Sequence, residues 1–374
     1  MIQPSLLYLA SFFLALPINF GLCDREVFAH HMIGLTYGYT IQDFANDVNA
    51  ASAAGIDGFA LNIDGNFKLF ISFDYAANWK GWTPEEAIAI IHSYSSSPAQ
   101  FRPAAAGDWA QIKQQTDAFF VPDYSSRGPS GAAALPNVDG LFPRDAWPDY
   151  KADVPTSDQD YKAALGNRPF MMPVSPWFYT NVPKYGKNWL WHTTNLWPLR
   201  WQQYEGDIPT GALWYVQNIP HNAWLNDLPY YIRKYKDNGA EPPAGSYTPH
   251  VTFWYRLNPN RGCSDDGTTC NSQMNGQPTF PPQECTGDAV SFSIFAPTVS
   301  IVQVSVGGVS IGSSSSTGLG VFSGSFTLKG KVGPVTISAS LRDGTKLGPV
   351  TGPAITTACF DGGRTNWNVW VGGT

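Results

Sequence analysis

The chain has 374 residues and a composition in which 14% of the side chains are aromatic and only 14% are charged. This aromatic content excludes an intrinsically disordered protein, since disordered chains are poor in aromatic residues and rich in charge. The formal net charge of −6, with no basic clusters, excludes the electrostatic attraction on which binding to nucleic acids or anionic lipids depends. The length suits one large domain with a smaller one, or two to three domains of medium size.

The first residues form an apolar leader. Residues 6–16 are a nearly continuous apolar block, which is too short to span a bilayer. Cys23 lies near a plausible cleavage point, although the basic residues that usually begin a leader are missing. We predict a signal peptide over residues 1–23 and a secreted mature protein. A buried first helix or a membrane anchor is the alternative.

Residues 24–257 alternate between strand-like and helix-like patterns, which is typical of an α/β fold with parallel strands. Thr40 precedes a helical pattern that Gly55 ends, and residues 83–86 form a capping box with Pro at the first helical position. The predicted strands cover residues 27–33, 58–63, 68–73, 118–121, 140–142 and 170–174. The predicted helices cover residues 41–54, 85–94, 109–116 and 158–165.

Several predicted strands end in a polar or acidic residue beside an aromatic one. In a barrel of parallel strands the active site is built from the loops at the carboxyl ends of the strands, so these residues are expected to share a cleft. Acids beside aromatic rings suggest a cleft that binds sugars. The competing interpretation gives the acids loop-capping or charge-pairing roles, buries the aromatics at the barrel rim and places the histidine in the core. The candidate substrate-binding residues are His30, Asn62, Asp74, Asp123, Asp145, Trp177 and Tyr179.

One connection between predicted strands is unusually short. Only residues 64–67 separate the strand that ends at Ile63 from the one that begins at Lys68. Parallel neighbours need a crossover of about a dozen residues or more, whereas an Asp-Gly pair between apolar runs is a hairpin signal. The sequence predicts either an antiparallel hairpin here or the absence of a helix.

The end of the chain has a different character. Residues 258–289 are rich in Gly, Ser, Thr, Asn and Pro and predict a loop, whereas residues 290–374 contain short alternating strands between Gly-rich turns. Such a pattern predicts an antiparallel β-sandwich.

Four cysteines follow the leader, an even number that suits two disulfides in an oxidising compartment. Three connectivities are possible and the sequence leaves them open. A zinc site is the weaker alternative, because Cys-x6-Cys without nearby His is a poor metal spacing. We predict no metal and no cofactor. The candidate disulfide cysteines are Cys263, Cys270, Cys285 and Cys359.

Long motifs of unusual composition lie at residues 27–39, 54–62, 70–78, 172–181 and 187–191. In this order they resemble fungal glycoside hydrolase family 71, whose members are α-1,3-glucanases, also called mutanases. The resemblance extends to the end of the chain. It implies a (β/α)8 barrel, a C-terminal β-sandwich and inverting hydrolysis of α-1,3-glucosidic bonds. The expected partner is α-1,3-glucan of the cell wall, bound by a secreted monomer that contacts neither nucleic acid nor membrane.

The sequence departs from the family pattern where the family carries its acid and base. A W-N-D-Y-G-E-S motif is expected after an R-W-Q-Q segment, but here residues 200–203 run directly into Tyr204 and the motif occurs nowhere in the chain. Residues 64–67 and 101–104 are also shortened, so the barrel falls short of its usual size of about 250 residues.

The catalytic residues are therefore left unassigned, and two hypotheses follow. The chain is a glucan hydrolase that works through other acids, or whose sequence lacks coding segments. Alternatively, it is a catalytically inactive glucan-binding protein that keeps the cleft and the sandwich.

Overall fold

The computed structural model of the chain combines helices with a parallel sheet and, towards the end of the chain, antiparallel sheets. None of the helices within the described ranges is long and apolar enough to cross a membrane. The predicted signal peptide lies outside these ranges. The structure describes residues 25–31, 38–61, 69–72, 83–93, 100–102, 108–116, 119–143, 156–174, 179–182, 187–190, 198, 211–215, 222–259, 262–270, 288–316, 320–359, 363–367 and 369–374.

The first two helices begin at the capping signals that the sequence predicts, whereas the helices Gly128–Ala133 and Leu228–Lys236 were not predicted and have no side-chain cap. At the first helix, the Asp43 amide donates to the Thr40 hydroxyl at 3.3 Å and the Thr40 amide donates to the Asp43 carboxylate at 2.7 Å. Gly55, with φ of 88°, follows its end, as expected for a residue that tolerates positive φ. The helices are α1 Ile41–Ala53, α2 Pro84–Ser93, α3 Asp108–Thr116, α4 Gly128–Ala133, α5 Thr156–Leu165 and α6 Leu228–Lys236, with 3-10 turns at Ser125–Arg127 and Asn222–Asn226.

The strands fall into a first group, which precedes α6, and a second group, which follows it. The first group is β1 Glu26–His31, β2 Gly58–Leu61, β3 Leu69–Ser72, β4 Gln100–Arg102, β5 Met171–Val174, β6 Tyr179–Val182, β7 Lys187–Leu190 and β8 Gly211–Tyr215. The second group is β9 His250–Arg256, β10 Thr269–Cys270, β11 Ala289–Phe295, β12 Val299–Val306, β13 Val309–Ser314, β14 Val321–Thr327, β15 Gly333–Leu341, β16 Lys346–Ile355 and β17 Val369–Gly373.

Six strands of the first group form one sheet in the order β4-β3-β2-β1-β8-β5. All its neighbouring pairs are parallel. Two extended segments continue the sheet beyond β5. Leu141 pairs in parallel with Phe170, just before β5, and the Phe142 amide donates to the Pro122 carbonyl at 3.1 Å.

These two segments, 120–122 and 139–142, lie where strands were predicted at residues 118–121 and 140–142. They are present as bridged segments and not as full strands, because each is held by a few hydrogen bonds only. The parallel arrangement predicted for this part of the chain is confirmed.

The short connection between β2 and β3 is not a hairpin. The two strands pair in parallel with Phe59 opposite Leu69, so the antiparallel alternative predicted at residues 64–67 is wrong. The seven residues from 62 to 68 make the connection, well below the usual crossover length. The register explains how this is possible. Because β3 begins opposite Phe59, the chain has to return over only about two strand residues, roughly 7 Å.

Most of α1 is exposed or only half-buried. All residues of α1 are described, and Ala51 alone is buried. Ile41 at its first turn is 89% exposed. By contrast, α6 buries five of its nine residues.

Two antiparallel sheets form the end of the chain, in the orders β14-β11-β9-β17 and β13-β12-β15-β16. Their apolar residues form one buried cluster that includes Phe253, Phe292, Val304 and Ile337. The antiparallel arrangement predicted here is confirmed. One strand comes earlier in the chain than expected, since β9 lies in the range predicted for the barrel but pairs with β11 and β17.

The predicted cysteine-rich loop is cross-linked to the end of the chain. Cys263 and Cys359 form a disulfide with their Cα atoms 5.6 Å apart. Cys270 is also disulfide-bonded, and its partner lies outside the described residues. Of the three possible connectivities, the one that contains the first bond leaves Cys285 for Cys270. A cross-link of this kind typically stabilises a fold by about 2–4 kcal/mol.

At the amino-terminal edge of the parallel sheet, two carboxylates brace the strands in the same way. Asp57 accepts the amide of Val27 in β1 at 2.8 Å and forms an ion pair with a lysine of α6 at 2.6 Å. Asp139 accepts the amide of Phe120 at 2.7 Å and forms an ion pair with a lysine of α3. At this edge both carboxylates are engaged by groups of the protein itself. A binding site is therefore expected at the opposite, carboxyl-terminal edge of the strands.

Candidate active site

The carboxyl ends of the parallel strands bring predicted binding residues to one edge of the sheet. Because β1, β2 and β3 are parallel and in register, their ends lie side by side at the spacing of about 4.8 Å between strands. His30 is opposite Ala60 in β2 and Tyr215 in β8. Asn62 directly follows β2 and Asp74 comes two residues after β3, but both lie outside the described residues.

An apolar layer covers one face of the sheet below this edge. We call it the inner layer; it consists of Phe28, Val121, Phe142 and Met171, all buried and packed together. The neighbours of Phe28 in β1 belong to the main core cluster instead, so both faces of the sheet are covered. His30 is two residues beyond Phe28 and thus occupies the same face of β1, although its side chain lies outside the described part.

Asp123 stands at the same edge, two residues beyond Val121 of the inner layer. Its Oδ1 accepts the amide of Ser125 at 3.1 Å, which is the local turn that Asp side chains commonly make. The loop-capping role weighed for this residue is therefore present. A carboxylate accepts up to about four hydrogen bonds, so a capping bond to one oxygen is compatible with a second role.

The remaining acid and the aromatic loop follow strand ends without being described themselves. Asp145 comes three residues after segment 139–142, and Trp177 comes three residues after β5. The segment and the strand that precede them both end at the carboxyl edge, but Asp145 and Trp177 themselves lie outside the described residues.

Tyr179 was predicted in a loop, but it begins β6. This strand pairs with β7 in antiparallel fashion, and β10 adds to β7 in parallel, so the three form a separate sheet. The side chain of Tyr179 lies outside the described part. Residues 187–191 were recognised as a family motif and not as a strand, and the hairpin was therefore missed.

No three metal-binding side chains come together in the part of the chain that the structure describes. The acidic turn that follows Cys263 is occupied by protein contacts. The Asp266 carboxylate forms an ion pair with Arg364 at 2.7 Å, and Thr365 donates its hydroxyl to Asp265 at 3.3 Å. These carboxylates fix the fold of the turn.

A buried ion pair joins α6 to the C-terminal sheets. Nε2 of His250 lies 3.0 Å from Oδ1 of Asp227, and Nδ1 lies 2.8 Å from the carbonyl oxygen of Thr248. The Thr252 hydroxyl donates to the same Asp227 oxygen at 2.6 Å. Both ring nitrogens thus face acceptors, which suits the imidazolium form. Burial lowers the pKa of His250, but the hydrogen bond and charge of Asp227 outweigh it, so the pKa is raised.

Comparison with known proteins gives the family. The family model described as glycosyl hydrolase family 71 matches residues 23–210 and 202–374, which is nearly the whole chain. The chain belongs to glycosyl hydrolase family 71. The match comes in two parts that meet at residues 202–210, and this is the place where the acid and base motif expected of family 71 is missing from the sequence.

Curated relatives carry names that agree with this family. A mutanase of Penicillium rubens is 29% identical over 340 residues, covering 74% of this chain and 73% of that protein. A glucan endo-1,3-alpha-glucosidase of Schizosaccharomyces pombe is 29% identical over 327 residues, covering 68% and 75%. An ascus wall endo-1,3-alpha-glucanase of the same yeast is 23% identical over 374 residues, covering 78% and 83%.

Similarity to solved structures is weak. A glycosyl hydrolase family 2 member from Bacteroides cellulosilyticus matches with a TM-score of 0.36 at 10% identity, covering 88% of this chain and 46% of that one. A score of this size carries no statement about fold or function.

Proposed function

We propose that the parallel strands close into a (β/α)8 barrel whose carboxyl edge forms a glucan-binding cleft. The observation that carries this proposal is the strand order. Taken around the sheet, β1, β2, β3 and β4 lie on one side, and β8, β5, segment 139–142 and segment 120–122 on the other. This is sequence order around a ring of eight, which the proposal closes between β4 and segment 120–122. The inner layer supports closure, since a barrel needs an apolar interior.

The proposed ligand is α-1,3-glucan, the substrate named for the curated relatives. A neutral polysaccharide suits a chain without basic patches. Aromatic residues at the carboxyl edge would stack on the faces of sugar rings, while His30, Asn62 and the carboxylates of Asp74, Asp123 and Asp145 would hydrogen-bond sugar hydroxyls. The resemblance to family 71 implies that relatives with the complete sequence invert the configuration at the cleaved bond.

Catalysis is a different matter from binding. Inverting hydrolysis needs one carboxylic acid to protonate the leaving oxygen and one carboxylate to activate water, about 6.5–9.5 Å apart. The motif expected to supply this pair is missing after Gln203. We therefore propose that the chain as written binds glucan without cleaving it. The competing function, hydrolysis through Asp74, Asp123 or Asp145, rests on their placement at the same edge.

The protein is proposed to act outside the cell. Residues 1–23 would direct secretion as a signal peptide, and the disulfide between Cys263 and Cys359 suits the oxidising conditions of that route. The named ascus wall relative agrees with a role at the cell wall. We expect the mature protein to be a monomer.

Cosedimentation with insoluble polysaccharide tests the binding proposal. The purified chain is expected to sediment with α-1,3-glucan and to stay in the supernatant with β-1,3-glucan. Trp177→Ala should weaken binding by about tenfold, the equivalent of ~1.4 kcal/mol, because a stacking surface is lost. Phe119→Ala is the matched control, since this partly exposed ring lies at the amino-terminal edge. Equal retention by both polysaccharides, or by neither, would contradict the proposal.

A further inference from the structure

The sheet formed by β6, β7 and β10 stands close to the proposed cleft. β6 begins five residues after β5 ends, and five residues of extended chain span at most about 17 Å. The start of β6 therefore lies within that distance of the carboxyl edge of the barrel strands. This distance is short enough for a polysaccharide held at that edge to reach the small sheet.

Asn188 attaches the β6–β7 hairpin to the cysteine-rich segment, in addition to the pairing of β7 with β10. Its side chain is only 3% exposed. Its Nδ2 donates to the carbonyl oxygen of Asp266 at 2.6 Å, and its Oδ1 accepts the hydroxyl of Thr268 at 2.9 Å. Both ends of the amide are thus engaged in a buried site, where an unmade hydrogen bond is costly.

The cysteine-rich segment that binds Asn188 is itself attached to residues near the end of the chain. Cys263 is bonded to Cys359 across a sequence separation of 96 residues, and Ser264 pairs with Arg364. Leu190 of β7 is buried and packs against Cys270 and Trp367. We call residues 262–270 the clamp. The disulfide joins the clamp to the C-terminal part of the chain. The β6–β7 hairpin is joined to the clamp by the pairing of β7 with β10 and by the hydrogen bonds of Asn188.

We propose that Asn188 is a positioning residue for glucan binding, which holds the β6–β7 hairpin against the clamp so that the hairpin forms one fixed wall of the cleft. This inference rests on the glucan-binding function proposed above. It assigns to the cysteine-rich segment a role in ligand binding, in addition to the stability that its disulfides supply. Asn188 itself is buried and does not touch the glucan.

Substitution of Thr268 separates positioning from general stability. Thr268→Val removes the hydroxyl donor at nearly constant shape, and Thr268→Ser restores it. Tyr255→Phe is the matched control, because it also removes a hydroxyl donor to a residue far along the chain, in this case a donor to the backbone carbonyl of Pro353 at 2.7 Å. We expect Thr268→Val to weaken α-1,3-glucan binding by about fivefold, the size of one net hydrogen bond. Thr268→Ser and Tyr255→Phe should bind as the unaltered chain does.

Hydrogen exchange of the hairpin amides gives a second readout. Exchange in β6 and β7 should become faster in Thr268→Val and in Asn188→Ala, and should stay unchanged in Tyr255→Phe. If Thr268→Val binds glucan as tightly as the unaltered chain does, the positioning role of Asn188 is overturned, whereas the proposed function is not. Failure of the unaltered chain to bind would overturn the proposed function, and unchanged exchange would then also refute the positioning role of Asn188.

Discussion

Insertion of the family's W-N-D-Y-G-E-S segment after Gln203, together with the segments expected at residues 64–67 and 101–104, is expected to raise the rate of α-1,3-glucan hydrolysis by at least about 10⁴-fold over the unaltered chain. General acid and base groups typically contribute about 10²–10⁴-fold each, and the insertion supplies both. The segment would enter between β5 and β8, whose carboxyl ends are neighbours in the parallel sheet. The measurement is reducing sugar released per mole of protein.

The matched control carries the same insertions with Asn and Gln in place of the Asp and Glu of the motif. Its shape is nearly the same, but it can neither protonate the leaving oxygen nor activate water, so its rate should fall back to that of the unaltered chain. If the control and the restored chain hydrolyse glucan equally well, the inserted carboxylates are not the acid and base. Recovery of the motif in frame from the genomic sequence would show that the chain as written lacks a coding segment.

Asp227→Ala is expected to lower the free energy of unfolding by about 3–5 kcal/mol, because it leaves a buried imidazolium without its counter-charge. Asp227 is 0% exposed and accepts both the His250 ring and the Thr252 hydroxyl. It makes no side-chain cap for α6, so loss of a helix cap does not contribute. The measurement is urea denaturation followed by tryptophan fluorescence.

Asp237→Ala is the control for this substitution. It removes the same side chain from the other end of α6, where Asp237 and Arg233 form an ion pair at 3.7 Å with about half of each side chain exposed. Exposed pairs of this kind contribute about 0–1 kcal/mol, so the unfolding free energy should change little. Equal effects of Asp227→Ala and Asp237→Ala would contradict the burial argument.

The same pair predicts how stability depends on pH. Because the pKa of His250 is raised above 6.5 in the folded state, its contribution is fully present below that pH and is lost as the pH rises through the folded-state value. The unfolding free energy should therefore fall with rising pH in this window. His250→Gln should remove this part of the slope, and an unchanged slope in that variant would assign the pH dependence to other groups.

Local signals in the sequence were sufficient for the elements that depend on nearby residues. The beginning and end of α1 follow from Thr40, Asp43 and Gly55, all within two turns of the helix ends, so no tertiary information was needed. The first parallel strands were found for a related reason. A strand that is buried on both faces is a short apolar run, and turn residues mark its ends.

The elements that were missed depend on distant contacts. All seven residues of β9 are buried, so the strand shows no alternation, and only its pairing with β11 and β17 assigns it to the C-terminal sheets. β8 is a five-residue apolar run, which periodicity cannot distinguish from a buried helix segment. Thr268 lies 80 residues from its partner Asn188, and no local pattern connects the two. The choice among disulfide connectivities is settled by the same kind of distant contact.

Assay of the unaltered chain on α-1,3-glucan tests the central claim most directly, namely that the chain keeps the glucan cleft of family 71 without its acid and base. Binding and reducing-sugar release are measured on the same purified sample. The account predicts that the protein sediments with the polysaccharide and releases no reducing sugar above the buffer level. Steady release that Asp74→Asn or Asp123→Asn abolishes would contradict it, because those carboxylates would then be the catalytic pair that the sequence was thought to lack.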